Sequence, residues 1–222
     1  MPLIVLMLCV GVASTLPVLV TALVARALGV GVPQIAAGVG RPRLEWTLGG
    51  TAVLVTPWLF ASSCTFKDHD DPDLAADAPG RPFGEVHPVL RALVVLSGPL
   101  VVLALCLAAA GPAAGAAFAQ GFGQITDGAL DPLGQAQAYL GRYGQAADAA
   151  PFATGVLLLA KLMAFSLLPL PLLAGGNSLL QLVRWKRLAL PPWVGPVLQV
   201  SLLLILAMVV SWTVALAVFL FG

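Results

Sequence analysis

The chain is 222 residues long, 59% hydrophobic and only 9% charged, with a mean hydropathy of +0.98 and a formal net charge of +1. Soluble globular chains carry about 25% charged residues, so composition excludes that class and places the chain in a membrane. The near-zero net charge gives no basis for binding nucleic acid or an acidic substrate. Cys9, Cys64 and Cys106 are far apart and form no CxxC pair. They make neither a disulfide framework nor a zinc knuckle, and read as small apolar fillers.

Four hydrophobic spans are expected, each reaching the roughly 20 residues needed to cross a hydrocarbon core of about 30 Å. The first runs about Leu3 to Leu28. It lacks a basic leader and is longer than the apolar stretch of about 7–15 residues in a signal peptide. After it, Pro33, Gly38, Gly40, Pro42, Gly49 and Gly50 punctuate a partly polar stretch. Between them Thr51-Ala52-Val53-Leu54-Val55-Thr56 is a β-branched run bounded by Gly and Pro, which reads as a strand. A strand with open edges cannot face lipid, so it must pair locally in a hairpin, within about 34–60, or be buried. Residues 67–88 are acidic and proline-rich and read as a solvated loop. The second span runs about Leu90 to Ala110. Residues 111–150 form an outer-side connection in which Pro132 to Ala147 suits one short interfacial helix. The third span runs about Phe152 to Leu173 and the fourth about Val194 to Phe221.

Positive charge sets the orientation. Arg26, Arg41, Arg43, Lys67, Arg81 and Arg91 flank the first connection, and Arg184, Lys186 and Arg187 the third. The second has only Arg142. The positive-inside rule therefore puts the first and third connections in the cytoplasm and both termini outside. Ala, Gly, Pro and Leu enrichment with few Lys suggests a high-GC bacterium, hence a bacterial cytoplasmic membrane.

The third span ends in Ser166-Leu-Leu-Pro-Leu-Pro-Leu-Leu-Ala-Gly-Gly176. Upstream, in order, stand Val24-Ala25-Arg26-Ala27-Leu28-Gly29-Val30, Gly38-Val39-Gly40, then Phe83, Arg91-Ala92 and Gly98-Pro99, and later Asp131-Pro132-Leu133-Gly134-Gln135. The first of these motifs resembles the N-L-L-P-x-P-x-L-D-G-G signature of the site-2 proteases, the intramembrane zinc metalloproteases. The others resemble, in the same order, the segment after that family's H-E-x-x-H helix, the G-F-G opening its membrane-associated β-hairpin, its F-x7-R-A-x5-G-P spacing, and the G-P-I-G segment after its PDZ module. About 30 residues separate Gly98-Pro99 from Asp131, too few for a PDZ domain. The resemblance implies an all-α polytopic fold with a short hairpin between the first two spans.

The family's chemistry uses two histidines and an aspartate to hold zinc, with a water in the fourth position. A glutamate beside the first histidine takes that water's proton. Here the histidine positions are Pro17 and Thr21, the glutamate position is Val18, the aspartate position is Ala174, and the signature asparagine is Ser166. The chain's two histidines, His69 and His87, lie in the first cytoplasmic loop, and the first span has no His, Asp or Glu. The expectation is a pseudoprotease with no cofactor. It would act as a structural or partner-binding subunit among membrane lipid and other integral membrane subunits. Pro17 removes one backbone hydrogen bond at the former catalytic turn, where Thr15 and Thr21 are placed to help.

Other candidates are partner contacts. Asp68, Asp70, Asp71 and Asp73, with His69, form an acidic cluster without the Gly and terminal Glu of an EF-hand loop. It reads as a solvated turn or a contact for a basic partner. Lys161 is the charge inside the third span; it could snorkel toward the outer interface or pair with a partner's carboxylate, and a buried polar contact is the favoured reading. Arg184-Trp185-Lys186-Arg187 reads as a basic-aromatic interface anchor, and Trp193 and Trp212 as interface or lipid-facing side chains. Gly11, Gly98, Gly155 and Gly175-Gly176 would permit close helix contact. Two alternatives stand beside the pseudoprotease: an active intramembrane metalloprotease with non-standard ligands, drawn from His69, His87 and the nearby aspartates, and a small transporter or channel. The second would need a polar path, for which only Lys161 and scattered Ser and Thr are available.

Overall fold

A computed structural model describes residues 2–67, 79–183 and 194–222. The acidic cluster at Asp68, Asp70, Asp71 and Asp73 with His69, and the run Arg184, Lys186 and Arg187 with Trp185 and Trp193, lie outside the described residues. Three helices are long and apolar enough to cross a membrane: α1 (Pro2–Ala27), α2 (Pro88–Ala110) and α7 (Val194–Phe221). The protein is an integral membrane protein, and these helices coincide with the first, second and fourth expected spans.

The third expected span takes another form. Helix α5 (Pro151–Ser166) has 16 residues, about 24 Å at 1.5 Å per residue and short of a hydrocarbon core of about 30 Å. Pro169 and Pro171 stop it, since each lacks the N–H that a continuing helix would use. The chain then turns into a short helix, α6 (Ala174–Val183).

The chain divides into two compact bodies. One comprises Val10–Val102 and Asn177–Ala189. Its centre is a four-stranded sheet of β1 (Gln34–Val39), β2 (Leu44–Leu48), β3 (Thr51–Val55) and β4 (Trp58–Thr65), in the order β2-β3-β1-β4. The β-branched run is indeed a strand, β3, and it forms a hairpin with β2 through Gly49 and Gly50. Both glycines have positive φ, +56° and +78°, as a two-residue type I′ turn demands. The hairpin is only half of the sheet. β1 pairs parallel to β3, and β4 antiparallel to β1. A mixed sheet thus stands where an all-α fold with one hairpin was expected. β1, rich in Ala and Gly, and the Ala61-Ser62-Ser63 part of β4 are poor in intrinsic strand signal and are recruited by pairing.

Arg26, at the end of α1, fixes this sheet to the helix. Its guanidinium donates to Gly49 O at 2.8 Å, Thr51 Oγ1 at 3.2 Å and Leu48 O at 3.3 Å. Thr51 Oγ1 in turn donates to Val32 O at 2.7 Å. Arg81 closes the other side, donating to Leu28 O at 2.9 Å. Phe66 and Phe83 stack with centroids 4.3 Å apart, which holds the two ends of the acidic loop together.

The second body comprises Met1–Cys9, Leu103–Gly176 and Leu190–Gly222. Residues 111–150 carry two helices, α3 (Pro112–Leu130) and α4 (Gln135–Ala149), where one was expected. The expected helix begins three residues late. Asp131 forms the preceding turn, its carboxylate accepting from the N–H of Gly134 and Gln135 at 2.9 and 3.0 Å. Helices α3 and α5 pack closely because Gly121 has no side chain; a Cβ there would lie 3.0 Å from Ala164 Cβ and Lys161 Cα. Trp212 of α7 lies over Gly128 and donates Nε1 to Ile125 O at 3.0 Å. It is a half-buried interhelical contact. Gln137 Nε2 donates to Ala215 O at 2.8 Å, and Ser211 Oγ to Ala129 O at 2.6 Å.

Candidate functional site

The residues aligned with a zinc site fall in two places. On α1, Pro17 is buried, while Val18 and Thr21 are half-buried. The helix runs unbroken through Pro17. Thr15 Oγ1 and Ser14 Oγ donate to Gly11 O at 2.6 and 3.0 Å, N-terminal to Pro17. Residues 17 and 21 share one face, four apart. Helix α2 lies directly on that face at Gly98: a Cβ at Gly98 would collide with Pro17 O and stand 2.6 Å from Thr21 Oγ1. Only a glycine permits this approach.

Near Ala174, the segment Ser166–Gly176 folds as a tight reversal. Leu167 N–H bonds to Met163 O, Leu168 N–H to Phe165 O, Leu173 N–H to Leu170 O, and Gly176 N–H returns to Leu168 O at 3.2 Å. Ser166 Oγ donates to Leu162 O. Gly175 and Gly176 press against the backbone of Leu167 and Leu170 so closely that a Cβ on either would overlap it. The twin glycines therefore have a packing reason, and Ala174 opens α6 half-buried. Beside this reversal lies an open groove of about 410 Å³, between Pro169–Pro171 and the Pro196, Val200 and Leu204 side of α7. Its one polar side chain, Ser201, already donates to Val197 O at 2.7 Å.

The side chains at 17, 18, 21 and 174 are themselves neither charged nor basic. Among the described residues no group of three or more His, Cys, Asp or Glu side chains could hold a metal ion. His87 is exposed before α2. Burial pushes the Cys64 thiol up to about 12 from its ordinary value of 9.0, which keeps the free thiol protonated at neutral pH. Lys161 is half-buried on α5. Arg142 sits on α4, exposed, with its guanidinium 5.0 Å over the Tyr139 ring.

Sequence reasoning singled out the positions 17, 21 and 174 but missed how Gly98 closes on α1. The signal was Gly98-Pro99 inside an apolar helix, a residue pair that proves to mark a close backbone contact. No protein-family model matches the chain, and no curated protein matches it.

Proposed function

We propose that this chain is a catalytically inactive, site-2-protease-like subunit that binds or scaffolds other integral membrane proteins. The reading has four spans, the third completed by the turn after α5, and both termini on the outer side of a bacterial cytoplasmic membrane. The observation that carries it is the set of side chains at the positions the resemblance makes catalytic: Pro17, Val18, Thr21 and Ala174 include no charged ligand and no general base. The turn aligned with the catalytic one bears Pro17, Val18 and Thr21, and Gly98 packs against the face where a metal would be held. Without a metal there is no lowered water pKa, and without a carboxylate no acceptor for its proton. What is left is a set of apolar helix surfaces. Leu203 and Leu206 on α7, for instance, are 65% and 55% exposed. Such surfaces suit lipid and partner helices, since helices in a bilayer associate by packing and a few polar contacts.

The test is proteolysis in proteoliposomes. A fluorescent single-span peptide with a helix-destabilised centre is incubated with the purified protein. The reading predicts no cleavage above protein-free liposomes. Site-specific cleavage, blocked by a metal chelator, would overturn it.

A further inference from the structure

Lys161 is the charged residue of α5, and contacts at the two ends of that helix fix its level. Helix α4 leads into α5 and packs on the far part of α7, through Gln137 on Ala215 and Gly144 beside the Phe219 ring. At the other end, Pro169–Pro171 lie beside Pro196, Val200 and Leu204, in the first part of α7. Lys161 lies between. Helix α7 has 28 residues, about 42 Å, and Lys161 stands between those two contacts, alongside a helix long enough to cross a membrane.

At that level Lys161 has no partner among the described residues: none accepts its hydrogen bond and no carboxylate pairs with it. Gly121 backs onto its Cα and brings no acceptor side chain. The charge that does act on it is the positive one of Arg142. A lone cation inside a bilayer is expensive and marks a functional position. The chain's own apolar helices supply no counter-charge, because α1, α2, α5 and α7 contain neither Asp nor Glu. Among the described helices, a second copy could offer Asp127 on α3, near the Trp212 level, and Asp148 at the end of α4.

We propose that Lys161 is the docking charge for a membrane-spanning helix of a different protein that carries an Asp or Glu near its midpoint. The proposal rests on the reading of this chain as a binding subunit and supplies that reading with a surface and a partner chemistry. A buried carboxylate on the partner helix is as costly alone as Lys161 is, so each relieves the other on docking. Arg142, with a like charge, strengthens the preference for an acidic helix over a neutral one.

The test uses the full chain in neutral phosphatidylcholine liposomes with a labelled Leu/Ala helix of about 20 residues. The helix bears a central Asp, or Asn or Leu in its place. Energy transfer between protein and peptide reads association. The Asp peptide is expected to associate about tenfold more tightly than the Leu peptide, the scale of one strong polar contact in a bilayer. Lys161→Met abolishes the difference. Lys161→Glu restores it for a peptide with a central Lys, which also shows that the substituted chain remains folded. Asp127→Asn leaves it unchanged. Equal association of the Asp and Leu peptides overturns the proposal. So does an Asp preference that survives Lys161→Met. Two further results overturn it: protein dimers that vanish with Asp127→Asn while the peptide does not associate, which would assign Lys161 to a second copy, and loss of bound phosphatidylglycerol on Lys161→Met without any peptide effect, which would assign it to a lipid headgroup. Peptide cleavage in the same liposomes is scored separately. Cleavage with Lys161-dependent association sinks the non-catalytic reading alone, and no association without cleavage sinks the docking charge alone.

Discussion

Two intramembrane turns of this chain have opposite characters. Around Pro17 and Thr21 on α1, every group able to hold a metal is missing and a neighbouring helix has closed on the face. Around Lys161 on α5, one half-buried charge stands beside apolar helices, with no partner among the described residues. A bilayer interior tolerates the first arrangement without compensation, because apolar contact and internal hydrogen bonds satisfy everything there. It tolerates the second only if something else supplies a counter-charge. The contrast separates the part of the protein that holds itself together from the part that is incomplete alone.

Substitutions can break or sharpen that contrast. The largest effect is expected from Gly98→Val. Its side chain would be driven into Pro17 O and Thr21 Oγ1, which should destabilise the fold by about 3 kcal/mol or more. Loss of the monodisperse peak in detergent gel filtration would show it; normal behaviour would mean that α1 and α2 are not in close contact. Lys161→Met should act in the opposite sense. Removing an unpaired buried charge should stabilise the isolated protein by about 1 kcal/mol, seen as a higher Tm in detergent. A clear loss of stability would mean that Lys161 is already paired within the chain. Arg26→Ala removes three hydrogen bonds to the β2–β3 turn. A destabilisation of about 1 kcal/mol, local to the hairpin, should appear as faster proteolysis at Gly49–Gly50. Smallest is Trp212→Phe, which keeps the ring over Gly128 and loses only the bond to Ile125 O. Thermal unfolding should fall by about 0.6 kcal/mol.

The sequence made some of this legible and hid the rest for physical reasons. Helices α1, α2 and α7 are uninterrupted apolar runs, and such runs have few other fates in a chain with so little charge. β3 was visible because Thr, Val and Leu between Gly and Pro leave little alternative. β1 and β4 were not, since Gln34-Ile-Ala-Ala-Gly-Val39 and the Ala-Ser-Ser part of β4 acquire strand geometry only from their partners. The end of the third helix was hidden by an apolar stretch that continues past Ser166 while Pro169 and Pro171 already forbid helix. At the candidate site, the residue types at 17, 18, 21 and 174 could be read directly, because identity needs no geometry. The seating of Gly98 on Pro17 could not, because a glycine in an apolar helix fits many packings. Likewise Lys161 stood out by its charge, but its level came only from what α4 and the proline turn touch.

The central claim is that the turn at Pro17, Val18 and Thr21 holds no zinc. Its most direct test is the metal content of the full-length protein, purified without chelator from cells grown with zinc and measured by mass spectrometry. The account predicts zinc far below one equivalent and unchanged by Thr21→Ala. One tightly held zinc per chain, lost with Thr21→Ala or Ala174→Leu, would contradict it.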